Sequence, residues 1–398
     1  MGNWKELTVG DVCNTISDTY RGTDDEVVLV NTSDVLKGKF LNRKCVPNKN
    51  LKGQFKKTFK KNDILYSEIR PANKRYAYVD FEHTENYIAS TKLMVLRPNI
   101  NIIHPRFLFA YLSSTHVLAE LQHLAETRSG TFPQITFSSE LAPMPISVPD
   151  LKTQEKIVGL LDSIEDKIQN NDDINKNLLQ QTQALYSAWF EQFLPFDGKI
   201  PSDWYIGNIG TIATIKTNSF NPQKNPGVML EHYSIPAFDE QHFPVFEPSD
   251  NVKSNKYILT NNSVLASKLN PDTKRIWRPM CLTNQAVCST EFIVFETNNS
   301  THKDFLFSII NSQSFSDWMC AHTTGSTNSR QRTTPSTTLE FKVPIAPDDV
   351  IDEFCASVTP MYDLVSQNLQ ENQRLKSLRD SLLPRLMSGE IDVSNIDI

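Results

Sequence analysis

The feature that most constrains this chain is that it repeats itself. Segment 61–75, KNDILYSEIRPANKR, faces segment 260–275, TNNSVLASKLNPDTKR. Asn62, Leu65, Ser67, Pro71, Lys74 and Arg75 recur as Asn262, Leu265, Ser267, Pro271, Lys274 and Arg275, each 200 residues on. Further along, ASTKLMVLRP (89–98) faces CSTEFIVFET (288–297) at an offset of 199, and RFLFAYL (106–112) faces DFLFSII (304–310) at 198. Trp4 and Trp204 open the two copies, and PISVPD (145–150) and PIAPDD (344–349) close them. A slowly shrinking offset is what small deletions in loops produce. Chance similarity between unrelated domains does not give six identities at one offset, so the chain reads as two similar halves.

Within each half the pattern is mixed. Short runs rich in Val, Ile, Leu and Tyr (VVLVNT, DILYSEI, KLMVL) read as strands. A helical stretch follows, 105–127 in the first half and 303–322 in the second, and then a Pro-rich exit. Each half is thus an α+β domain, 1–150 and 196–345, followed by one long helical region, 151–195 and 346–398.

Those helical regions carry a heptad. Ile157, Leu161, Ile164, Ile168, Asn171, Asn175, Leu178, Thr182, Leu185 and Trp189 are spaced alternately four and three apart, as an a/d seam requires. Phe354, Val358, Met361, Val365, Asn368, Asn372, Leu375, Arg379, Leu382 and Leu386 repeat the spacing. Polar residues in an apolar seam cost stability and fix register. Asn171 and Asn175 match Asn368 and Asn372, so the two helices are expected to pack on each other, antiparallel, around a central polar layer. The alternative is that each helix packs on its own domain. Pro360 argues against an unbroken helix near the start of the second copy. About 35–40 helical residues span roughly 50–60 Å, the length of roughly 15–18 base pairs of duplex DNA. The expected fold is therefore two similar globular domains separated by an antiparallel, pseudo-two-fold coiled coil.

Net charge is −6, which excludes a simple basic coat for nucleic acid. Lys+Arg minus Asp+Glu is +3 over 1–150, −3 over 151–195, 0 over 196–345 and −6 over 346–398, so the acidity lies in the helical regions. The six cysteines include no CxxC pair, which points to neither zinc nor disulfides and fits a reducing, cytoplasmic setting. No secretory signal or membrane span is expected. Pro149-Asp150 with Glu165-Asp166-Lys167 formally fits a nuclease pattern, but its second part lies on the heptad helix rather than on a strand that could hold Mg²⁺. Asn221-Pro222-Gln223 and Asn270-Pro271-Asp272 lack the second Pro and the aromatic of an amino-methyltransferase tetrapeptide. No phosphate-binding glycine loop is present, and no catalytic or metal-binding residue is expected.

The layout resembles the specificity subunits of type I restriction–modification systems, over essentially the whole chain. The segments that carry the likeness are SGTFPQIT (129–136), PISVPDLKTQEKIVGLLDSIE (145–165), YSAWFEQF (186–193) and LRDSLLPRLMSGEIDV (378–393). One departure is that Gln154-Glu155-Lys156-Ile157 has Ile351-Asp352-Glu353-Phe354 as its second copy. The resemblance implies a non-catalytic subunit whose two target recognition domains each read one half of a split sequence in double-stranded DNA. It implies two methyltransferase subunits and restriction/translocase subunits as partners. Those partners would hold S-adenosylmethionine, ATP and magnesium, leaving no cofactor in this chain. The alternatives are a stand-alone divergent methyltransferase or nuclease, and a coiled-coil adaptor that never binds DNA.

Residues mirrored in both halves are the candidates for DNA contact. In the first loop these are Ser67, Arg70, Lys74 and Arg75, with Ser267, Lys268, Lys274, Arg275 and Arg278 as counterparts. A second loop offers Arg128, Ser129, Gly130 and Thr131, facing Thr324, Gly325, Ser326, Arg330 and Arg332. Lys and Arg hold phosphates, and Arg also reads guanine edges. A solvated loop or a plain turn is the alternative at each position.

Overall fold

The computed structural model describes residues 4–49, 51, 53–128, 132–324 and 331–394. They fall into two compact units, one of residues 1–167 with 374–398 and one of residues 168–373, so the division cuts through both long helices.

In the first unit, strands Cys13–Ile16, Leu93–Pro98, Ile64–Ser67 and Tyr76–Tyr78 form an antiparallel sheet in that order. Alternate side chains of a strand face opposite ways. Ile64, Tyr66, Met94 and Leu96 face helices Pro105–Leu112 and Thr115–Arg128. Leu65, Ala77 and Val95 instead pack with Val28, Val30 and Ala89 of a second sheet. That sheet has the order Cys45–Pro47, Glu26–Val30, Tyr87–Ser90, Phe55–Lys57, with Tyr87–Ser90 parallel to Glu26–Val30. The entry strand Lys5–Thr8 pairs antiparallel with the exit strand Pro145–Val148 and ties the ends of the domain together.

The second unit repeats this plan. Strands Ala213–Lys216, Phe292–Thr297, Ser263–Ser267 and Ile276–Trp277 form its antiparallel sheet. A five-stranded sheet again contains one parallel pair, Met229–Tyr233 with Ala286–Ser289. Tyr205–Asn208 closes on Lys342–Ile345. The hairpin after the repeated strand is closed identically in both halves: the Ser67 N–H donates to the Arg75 carbonyl and the Ser267 N–H to that of Arg275, both at 2.9 Å.

The single helices expected over 105–127 and 303–322 are each two. They break at Ser113-Ser114 and at Asn311-Ser312, where the Ser312 hydroxyl caps helix Gln313–Ala321 by accepting the Phe315 N–H. Short polar side chains that compete for backbone hydrogen bonds favour such breaks.

The first long helix is Leu151–Tyr186 and the second is Asp348–Met387. The second runs through Pro360 without interruption, contrary to the expectation from sequence. Val358 and Tyr362 on either side are buried, and the Tyr362 hydroxyl lies 2.9 Å from that of Ser308. Packing there outweighs the lost backbone bond. The seam residues Ile164, Ile168, Val365 and Leu386 are buried, while Leu178, Leu185, Met361, Leu375 and Leu382 are half-buried. Within the second unit Asn171 bonds Asn372 at 2.9 Å and Asn368 bonds Asn175 at 2.8 Å, so the helices run antiparallel there. Within the first unit Arg379, a charge in the seam, is held by Glu165.

Beyond the second helix, Gly389 adopts φ +74°, and a Cβ there would lie 2.8 Å from the Trp4 indole. Gly389→Ala is expected to destabilise the protein by about 2 kcal/mol, through the left-handed backbone and the clash together. Urea denaturation checks this.

Candidate nucleic-acid interface

The two loops singled out in each half lie against each other. The Arg70 N–H donates to the Pro133 carbonyl at 3.1 Å, and the Ile135 N–H to that of Glu68 at 2.9 Å. In the second half the Asn270 N–H donates to the Gln331 carbonyl at 2.9 Å, and the Thr333 N–H to that of Lys268 at 3.0 Å. Each hairpin tip is thus stitched to the chain that follows the helices. Arg70 and Asn270 occupy the same position, both with left-handed backbone (φ 45° and 48°), a conformation disfavoured for side chains beyond Gly and Asn. Arg128, Phe132, Gln134 and Thr136 line a cleft on the first of these surfaces.

The structure sorts the candidates. Arg70 and Lys74 are exposed, with no side-chain bond to any described residue. Lys268 is half-buried and its side chain is also unpaired among the described residues. Thr324 is exposed, its hydroxyl donating to the Arg332 carbonyl. Arg332 holds Glu291 through two hydrogen bonds while its side chain stays 45% exposed, and Arg128 pairs with Glu140 in the cleft.

Five candidates have side chains already engaged within the fold. Ser67 and Ser267 are 2% and 3% exposed, and their hydroxyls bond the backbone of Ile69 and Leu269. Their role is to shape the loop. Arg75 donates to the Ser33 and Val35 carbonyls. Arg275 makes a two-bond pair with Asp239. Arg278 bridges Asp304 and Asp363; burial works against its charge, but the two carboxylates hold the guanidinium firmly protonated. A sixth, Lys274, donates to the Asn311 carbonyl, and burial lowers its ammonium pKa. Ser129, Gly130, Thr131, Gly325, Ser326 and Arg330 lie outside the described residues.

Sequence reasoning missed the residues behind each loop. In the first half Lys92 lies 3.6 Å from Glu68 and donates to Gln134. The positions that match these three are Glu291, Lys268 and Arg332, and there Glu291 binds Arg332. The ladder that aligns them is the same, since the Glu68 N–H bonds the Lys92 carbonyl and the Lys268 N–H bonds that of Glu291, both at 3.0 Å. One frame therefore presents inverted charges in the two halves. The signal was available in the aligned segments, where Lys92 faces Glu291.

Among the described residues no group of three or more His, Cys, Asp or Glu is arranged to hold a metal ion. None of the described helices is long and apolar enough to cross a membrane.

Residues 1–180 match the family model described as the type I restriction modification DNA specificity domain. The chain is 30% identical to the type I restriction enzyme HindI specificity subunit of Haemophilus influenzae, over 98% of this chain and 100% of that one. It is 24% identical to the MjaIX specificity subunit of Methanocaldococcus jannaschii, over 72% of this chain and 69% of that one. Among solved structures, the type I restriction–modification system S subunit from M. genitalium has the same fold, with a TM-score of 0.57 and 14% identity over 97% of this chain and 96% of that one.

Proposed function

Because this chain belongs to the family of type I restriction–modification specificity subunits, we propose that each globular domain reads one half of a bipartite DNA target through its stitched pair of loops. The chain supplies target specificity and is the non-catalytic member of its complex. The observation that carries the domain-by-domain reading is the shared frame with inverted charges. Glu68, Lys92 and Gln134 in one half stand where Lys268, Glu291 and Arg332 stand in the other. Groups of opposite charge on one scaffold suit different base edges, because donors and acceptors alternate from base to base in the major groove.

The chemistry then belongs to partners. Two methyltransferase subunits would dock on the helical regions and bind S-adenosylmethionine. Restriction/translocase subunits would join them and use ATP and magnesium. A cytoplasmic location follows from that role.

The test is domain exchange. Residues 1–150 are replaced by those of a relative, and the genome of cells carrying the complex is sequenced for methylated adenine. One half of the methylated motif is expected to change and the other to stay. A change in both halves, or no methylation motif that depends on this chain, defeats the reading.

A further inference from the structure

Corresponding segments of the two halves differ sharply in charge. Residues 37–61 contain ten Lys or Arg and no Asp or Glu, whereas residues 237–261 contain two Lys and four Asp or Glu. The segments are equivalent in the fold. Each leads from the strand of the parallel pair that comes first in the chain, Glu26–Val30 or Met229–Tyr233, to the strand on the far side of its parallel partner, Phe55–Lys57 or Lys256–Ile258.

In the first half the segment opens with a hairpin, Val35–Leu36 with Lys39–Phe40, turning at Lys37-Gly38. The hairpin is docked on the reading loop. The Lys37 N–H donates to the Lys74 carbonyl at 2.9 Å, the Gly38 N–H to that of Tyr76 at 3.0 Å, and Arg75 grips the Ser33 and Val35 carbonyls. Lys37 is exposed, as are Arg70 and Lys74, and all three hold left-handed backbone (φ 47°, 45° and 53°). Backbone strain of this kind persists where the surroundings impose it, and it clusters at functional sites. In the second half the equivalent place holds helix Ile235–Gln241, whose Asp239 neutralises Arg275, the counterpart of Arg75, and whose Glu240 is exposed.

We infer that the Lys37–Gly38 turn and the reading loop beside it form a phosphate-binding face that the second half lacks, so that the first domain supplies most of the sequence-independent grip on duplex DNA. This rests on the DNA-reading role proposed above and adds an unequal division of labour to it. Three cations at one loop edge suit the spacing of charges along a duplex backbone, where each contact releases counterions. At the same edge of the other domain Asp239 and Arg275 cancel each other's charge, and the exposed Glu240 repels that backbone.

The test uses the complex of this chain with its methyltransferase subunits and measures the dissociation constant against salt on cognate and unrelated duplexes. The double variant Lys37→Asn with Lys74→Asn keeps residues that tolerate left-handed backbone. It is expected to reduce the slope of log K against log salt by about 2, weakening binding roughly 50-fold near 0.1 M salt and about 3-fold near 0.5 M. Both duplexes should lose alike, and the methylated motif should not change. Lys37→Arg with Lys74→Arg should keep the wild-type slope, which separates lost charge from lost fold. Lys60→Gln with Lys61→Gln, at the far end of strand Ile64–Ser67 from the loop, should also leave the slope unchanged. An unchanged slope in the Asn variant, an equal loss in the Lys60/Lys61 variant, or a loss confined to the cognate duplex overturns the phosphate face while leaving DNA reading intact. Failure of the wild-type complex to bind duplex DNA overturns the reading itself.

Discussion

Arg278→Ala is expected to destabilise the second half by about 3 kcal/mol, because it strands a buried carboxylate. The Asp304 side chain is 5% exposed, and the Arg278 side chain that pairs with it is 15% exposed. Two guanidinium hydrogen bonds, at 2.6 and 3.1 Å, reach Asp304, and a third reaches Asp363 of the second long helix at 2.9 Å. Thr359 on the same helix donates to Asp304 at 2.7 Å. Among the described residues, removing the Arg leaves that hydroxyl as the carboxylate's one remaining side-chain donor. Replacing both partners, Arg278→Met with Asp304→Asn, should recover most of the loss, since an absent pair costs less than a broken one. Urea midpoints of the single and double variants check this. A DNA-contacting Arg278 would instead leave stability alone and weaken DNA binding.

The same cluster sets a pH dependence. Burial, and then the neighbouring Arg278, push the Lys303 ammonium down to about 8 from its ordinary 10.5. Between those values the unfolded chain holds more protons than the folded one, so stability rises with pH across that window. In Arg278→Ala one of the two causes is gone, the folded value moves back up, and the rise should shrink. Urea midpoints taken from pH 7 to 10.5 report it.

The first half answers the same mechanical need with other residues. Arg106 on helix Pro105–Leu112 bonds Asp162 of the first long helix at 2.6 Å. Arg106 and Asp304 are repeat-equivalent, as are Asp162 and Thr359, so the polar tie between domain and helix survives while its charges move. This explains why the architecture was legible and the site only partly so. Hairpin closure at Ser67 and Ser267, the strand alternation and the heptad are local patterns that backbone geometry enforces, and they can be read along the chain. Whether an Arg faces solvent depends on a carboxylate brought near by folding. Asp239 lies 36 residues from Arg275, and Asp304 lies 26 from Arg278. Nothing in the text around those arginines announces either partner. Pro360 was misread for the opposite reason, since a local rule was overruled by the packing of Val358 and Tyr362. The acid-free run behind Lys37 was legible throughout, but charge averaged over a whole domain conceals it.

The polar layer of the second unit should show opposite signs for one substitution and for four. Asn171 donates to Asn372 and to Glu371, Asn372 donates to Asp172, and Asn368 donates to Asn175. All four asparagines are buried, between 1% and 8% exposed. Asn171→Leu removes one member and leaves the Asn372 amide oxygen and the Glu371 carboxylate without that donor, a loss of about 1–3 kcal/mol. Replacing Asn171, Asn175, Asn368 and Asn372 together by Leu removes the need for partners altogether. The Asn175 amide nitrogen already lacks a hydrogen-bond partner among the described residues, so that site gains most. The quadruple variant is therefore expected to exceed the wild type by a few kcal/mol, as fully apolar seams do. What it loses is register. With asparagines the helices have one alignment that pairs Asn171 with Asn372 and Asn175 with Asn368, because a shift of one heptad would break both pairs and set several of the amides against apolar seam residues. With leucines throughout, shifted and intermolecular pairings become nearly equivalent. Urea denaturation should show the gain, and light scattering should show mixed oligomers in place of one species. A quadruple variant that stays uniform would mean that the flanking domains, rather than the asparagines, fix the alignment.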